Sequence, residues 1–234
     1  MSSRRMLVLC LLLGLLILGW VNWRGVSTRR PAQEMFAPII NKQPVNFASR
    51  TFDPASPPPD MPPLISGENA ECVSDFLANA NVSGQTRRTD ATHATITVTQ
   101  IKVTLQLNVT IWVPADVTQH VTEHEEGHRQ ISEYYYQTAD KVAGRVAATY
   151  MGKQIVVAGA DLDAESIKSL QQMAAEITDE YDKELNPEPT QLLYDSITDH
   201  SRNEVVAQDA AAHAIKNASI ESTQPASPEQ SDPR

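Results

Sequence analysis

Between Gln119 and Ile131 the chain reads QHVTEHEEGHRQI, which places three of its six histidines and three glutamates within nine residues. On a helix, residues four apart lie about 40° apart around the axis, so His124 and His128 would point the same way. HEEGH is then an H-E-x-x-H segment, whose two imidazoles can grip one Zn²⁺ while the residue after the first His reaches a water on the metal. Zinc lowers the pKa of such a water towards about 7, and Glu125 is placed to take its proton as general base during attack on a carbonyl. The competing reading is a polar face on an acidic helix. Gly127 speaks against it, because a helical Gly costs about 1 kcal/mol relative to Ala. Close backbone approach at a metal site would give that residue a reason. Glu123 and Glu126 read as solvated, and His120, one turn earlier, as a rim group.

A catalytic zinc needs a third protein ligand and an open position. The long form H-E-x-x-H-x-x-G-x-x-H is excluded, since Ile131 and Tyr134 stand at its Gly and His places. The remaining candidates are Glu176, Glu180, His200 and Glu204. Glu204 is explained as the capping-box partner of Ser201, whereas His200, just before a helix start, can project into a cleft. His93 and His213 read as structural.

The elements that must position these groups follow from periodicity. ENAECVSDFLANAN (68–81) is expected as a short helix. THATITVTQIKVTLQLNVTIWVP is a β region, with Val103, Leu105, Leu107, Val109, Ile111 and Val113 facing one way. Ile96 and Val98 have the opposite parity, so the register shifts near Thr99–Gln100, at a bulge or an irregular turn. Asp116 with Gln119 reads as the start of a helix that carries the motif and runs to about Tyr150, with Gly152 as its stop. In H-E-x-x-H enzymes an edge strand beside the motif helix pairs with extended substrate, and the strand just before the motif is the candidate. A second helix fits 163–185, with Ile167, Leu170, Ala174, Ile177 and Tyr181 on one stripe. A third is expected from Ser201 to about Asn217.

HEEGHRQISE, together with YDSITDH at 194–200 and Gln208, resembles an uncharacterised family of bacterial zinc-dependent proteases of the H-E-x-x-H (zincin) class. Members pair the motif helix with a Tyr-Asp-x-x-Thr-x-His-Gly segment followed by a Gln. Tyr194, Asp195, Thr198, His200 and Gln208 match here, and Ser201 replaces the Gly. The resemblance spans about 64–218 and implies His200 as third zinc ligand. It also suggests Asp195 as the group orienting a ligand imidazole, and Tyr194 as a donor to the oxyanion.

Residues 6–23 carry no charge, follow Arg4 and Arg5, and are about as long as a helix that crosses a bilayer. Trp20 and Trp23 suit a membrane–water interface, so residues 1–30 are expected to be an uncleaved anchor rather than a signal peptide. Residues 31–63 hold nine of the fifteen prolines and read as a spacer. Residues 219–234 read as a disordered tail. Beyond residue 30 there are 14 basic side chains against 29 acidic ones, a field that excludes nucleic acid as a partner. Cys10 and Cys72 build no disulfide framework, and Cys72 reads as a small buried residue.

The expected fold is α+β: a small sheet, a long H-E-x-x-H helix behind it, and further C-terminal helices. The expected function is a membrane-tethered, single-pass zinc metallopeptidase of the bacterial inner membrane, with its catalytic domain in the periplasm or outside the cell and a peptide or protein as substrate. The alternatives are a tethered envelope-binding module with a structural or vestigial zinc, and a metal-free scaffold.

Overall fold

The computed structural model describes residues 37–64 and 68–221. The expected anchor at 1–30 and residues 222–234 of the tail lie outside them. No helix among the described residues is long and apolar enough to cross a membrane. In chain order the elements are β1 (Ile39–Lys42), β2 (Asn46–Phe52), β3 (Glu71–Arg88), β4 (His93–Pro114), α1 (Gln119–Gln137), α2 (Ala139–Ala148), β5 (Gln154–Ala158), α3 (Leu162–Glu184), α4 (Glu188–Thr198) and α5 (Ala207–Glu221). The architecture is α+β, a small sheet with helices packed against it.

The sheet is organised around β4. Its inward residues, from Val103 to Val113 in steps of two, are all buried, as their alternation requires. β4 is one strand with an extra residue: Ser83 pairs with Gln100 and Gly84 with Val98, so Thr99 bulges. The bulge keeps both Val98 and Ile101 in the core despite their opposite parity.

Two expectations are corrected by the pairing of β4. The segment 68–81 is not a helix; it forms most of β3, antiparallel to β4. Cys72, Phe76, Ala78, Ala80 and Val82 line the core side, while Leu77 is exposed. Three small residues and one outward Leu blurred a period of two. The spacer is also shorter than expected, because residues 39–52 supply β1 and β2, both parallel to β4. Pro44 falls between them, where no ladder donor is needed. With β5 antiparallel to His93–Thr97, three short strands tile one edge of β4 and β3 occupies the other. β4 is therefore interior; β3 forms one outer edge of the sheet, and β1, β2 and β5 form the other.

The motif helix begins at Thr118, whose side chain accepts from the Val121 amide at 3.4 Å; the Asp116–Gln119 box is not used. It also ends earlier than expected. Thr138 turns its amide and hydroxyl back to the Tyr135 carbonyl, and α2 starts at Ala139. α2 ends at Ala148 with Thr149 as its cap, and Gly152, at φ +75, lies in the turn beyond it instead of at the helix end. α3 matches its prediction, with Ile177 and Tyr181 buried, although Ile167 is 58% exposed. The main core lies between β4 and these helices: Leu105, Leu107 and Val109 meet Tyr136, Val146, Met173 and Ile177.

α4 was not anticipated. Pro187 precedes it and Pro189 sits in its first turn, where a missing N–H costs nothing. The third expected helix starts at Ala207 rather than Ser201, with Asn203 closing a turn onto the Val205 amide. α5 then presents Ala207, Ala210, Ala211 and Ala214 to Ile131 of α1 and Tyr194 of α4.

Candidate metal centre

α1 and α4 meet at the motif. His124 Nε2 and His128 Nε2 lie 3.2 Å apart. Asp195 Oδ1 is 2.9 Å from the second and 3.4 Å from the first. These three ligand atoms form a group that could hold a metal ion. Asp195 Oδ1 is fully buried yet accepts no hydrogen bond of adequate geometry, as when donor atoms converge on a common point instead of on one another. Burial works against charge on Asp195, but the two imidazoles outweigh it and hold the carboxyl well below its usual range. For His128, burial disfavours the cation, while Asp195 and then Glu125 outweigh it and raise the pKa.

Glu125 is 5% exposed. Burial pushes its carboxyl up to about 7; His128 opposes this, while Glu68 and Asp195 add to it. Its side chain lines two adjoining cavities of about 140 and 110 Å³, together with His124 and Glu68. Asp195, His128, Glu71 and Cys72 line one of them, and His200 and Arg202 the other. Burial, with Glu125 nearby, pushes the Cys72 thiol up to about 12, so it stays protonated and unreactive.

The third position is a correction. His200 does not join the imidazoles: its Nδ1 is 3.9 Å from Asp195 Oδ1 and 3.1 Å from Glu68 Oε1, and its side chain is 42% exposed. α4 ends at Thr198, and Asp199, His200 and Ser201 all have positive φ, which turns His200 onto the cavity wall. Asp195, expected to orient a ligand, is itself the third member of the group that could hold a metal ion. Glu176 and Glu180 serve elsewhere, bonded to Gln172 and Tyr150, and Glu204 is exposed.

Tyr194 also has a different role from the one expected. It is fully buried, and its hydroxyl donates to the His124 carbonyl at 2.9 Å, so that proton is not available to an oxyanion. Its ring stacks on His124 at 5.0 Å and meets His128 edge-on at 4.8 Å. Gly127 is what permits this. A Cβ there would sit 2.2 Å from Tyr194 Oη and 2.5 Å from Cζ. The close approach expected at Gly127 is real, but it is to a tyrosine beneath the ligands.

The group sequence reasoning missed is Gln191, one turn before Asp195 on α4. It contacts His128 Nδ1 at 2.7 Å through Oε1, and donates from Nε2 to the His128 carbonyl at 3.2 Å and to Ser132 Oγ at 3.0 Å. Its i, i+4 spacing to Asp195 was a usable signal, had α4 been recognised. His120 is half-buried one turn from the ligands, His93 is tied to Asp90 in the β3–β4 turn, and His213 to Asn217. Comparison of the chain with known families, curated proteins and solved structures returned no match.

Proposed function

We propose that this chain is a zinc metallopeptidase of the zincin class, tethered by residues 1–30 to a bacterial inner membrane and hydrolysing peptide bonds on the periplasmic side. The observation that carries the reading is the convergence of His124, His128 and Asp195 beside a buried Glu125. Donors at about 2.0–2.1 Å from a tetrahedral zinc lie about 3.3 Å apart, and the three separations here are 3.2, 3.4 and 2.9 Å. Two nitrogens and one carboxylate are also a donor set of the kind zinc takes.

Bound there, zinc would supply Lewis acidity that polarises a carbonyl and makes water a nucleophile at neutral pH. The protein supplies the rest. Glu125 holds a carboxyl whose affinity for a proton is matched to neutral solution, so it can take a proton from water and hand it to the leaving amine. The open edge of β3, which carries Glu71 and Cys72 into the cavity wall, offers main-chain groups to an extended peptide. Tyr194 fixes the motif helix from behind.

Zinc per chain, measured by elemental analysis of the purified protein, is expected to be one. Glu125→Gln should retain the zinc and lose cleavage of a peptide library. A wild-type protein that holds zinc and cleaves nothing under varied conditions would instead indicate a tethered binding module with a structural zinc. A protein that takes up no zinc would end both readings.

A further inference from the structure

The hydrogen bonds of Gln191 permit only one arrangement. One end of its amide lies 3.2 Å from the His128 carbonyl oxygen, an atom that can only accept, so that end must be the NH₂. The other end is then the oxygen, and it faces His128 Nδ1 at 2.7 Å. An amide oxygen can only accept as well, so Nδ1 must carry the proton. In the neutral ring this leaves the lone pair on Nε2, the atom directed at Asp195 and His124. The NH₂ also donates to Ser132 Oγ, whose own hydroxyl donates to Ser74 Oγ at 2.8 Å on β3. The amide is thereby held by α1 and, through Ser132, by the sheet.

His124 is held differently. Its side chain is 7% exposed and its Nδ1 is buried with no hydrogen-bond partner among the described residues. Stacking on Tyr194 sets the plane of the ring but leaves its tautomer open. Only one of the two imidazoles is therefore committed in advance to the form that binds a metal.

We propose that Gln191 is a positioning residue that selects the ligating tautomer of His128 and so presets the centre before an ion arrives. The proposal rests on the reading of His124, His128 and Asp195 as metal ligands. Partners of this kind change metal affinity by 10–100-fold. An amide accomplishes this without adding charge, so the three ligands keep the single negative charge of Asp195.

The test compares Gln191→Met, which removes the acceptor at similar size, with Gln191→Glu, which keeps an oxygen facing Nδ1. In the metal-stripped protein, long-range ¹H–¹⁵N spectra at a pH where the imidazoles are neutral should show His128 protonated on Nδ1 in the wild type and in Gln191→Glu. Gln191→Met should show a mixture of tautomers. Zinc affinity should fall 10–100-fold in Gln191→Met and stay within threefold of wild type, or rise, in Gln191→Glu. The visible spectrum of the Co²⁺-loaded protein should change only in Gln191→Met. Equal tautomers and equal affinities in wild type and Gln191→Met would overturn the proposal and leave the metal centre standing. A wild type that binds neither zinc nor Co²⁺ would overturn the metal centre, and the proposal with it.

Discussion

The two hydrophobic clusters flanking α1 are built on different principles. Under the sheet, aliphatic side chains of β4 interlock with Tyr136, Val146, Met173 and Ile177 over many residues. Each contact is one of several that do the same work. Behind the motif, Ile131 and Tyr194 meet four buried alanines, with Tyr135, Leu193, Ile197 and Ile215 packed around them. There α1 and α4 touch backbone to ring, and the ring lies against both ligand histidines. The first cluster supplies stability from redundant burial. The second converts a single close contact into the placement of the two imidazoles of the candidate metal centre.

Substitutions in the two regions should therefore separate stability from metal binding. Leu105→Ala, in the main core, should cost the most stability, about 4 kcal/mol, measured by denaturant unfolding. The protein that remains folded should still hold its full complement of zinc. Gly127→Ala should cost about 3 kcal/mol through overpacking, because neither Tyr194 nor the helix backbone can yield the space. Here zinc affinity should collapse by at least 100-fold in the folded fraction, as isothermal titration would show. Equal losses of zinc in both variants would erase the distinction.

The third test uses pH. Burial raises Glu125 to about 7 in the folded, metal-stripped protein, against an ordinary value of 4.5. Its contribution is then intact below about pH 4.5 and is lost as pH rises through about 7. Glu125→Gln should stabilise the metal-stripped protein at pH 8 by about 2–3 kcal/mol, and the gain should vanish at pH 4. A pH-independent gain would place its origin in packing instead of charge.

Much of this arrangement was legible from the residues. The motif, its helix, the parity of β4, the shift near Thr99 and the whole of α3 follow from local periodicity, and local periodicity is strong where large apolar residues recur. The misses share a physical cause. In β3 the half-buried positions between Cys72 and Val82 are filled by Ser, Phe and Ala, so only pairing with β4 reveals the strand. β1 and β2 are too short to show a pattern and exist because the edge of β4 is available. α4 is hidden because prolines flank its start: Pro187 caps it and Pro189 lies in its first turn, and a proline is as common just after one helix as at the beginning of the next. Gln191 is invisible without that helix, and Asp195, one turn further along it, reads only as an orienting group. His200 was favoured because a loop His is a visible candidate, whereas a helical Asp i+4 from a Gln is visible only once the helix is known.

Gly127 and Tyr194 also constrain how such a chain can change over generations. Neither residue is useful without the other: a larger residue at 127 collides with the ring, and a smaller one at 194 leaves His124 without its stacking surface. A lineage that altered either first would pass through a form in which His124 and His128 lose the ring that places them. The two positions, 67 apart in the chain, should accordingly be inherited as a unit, and where one is replaced among descendants the other should be replaced with it.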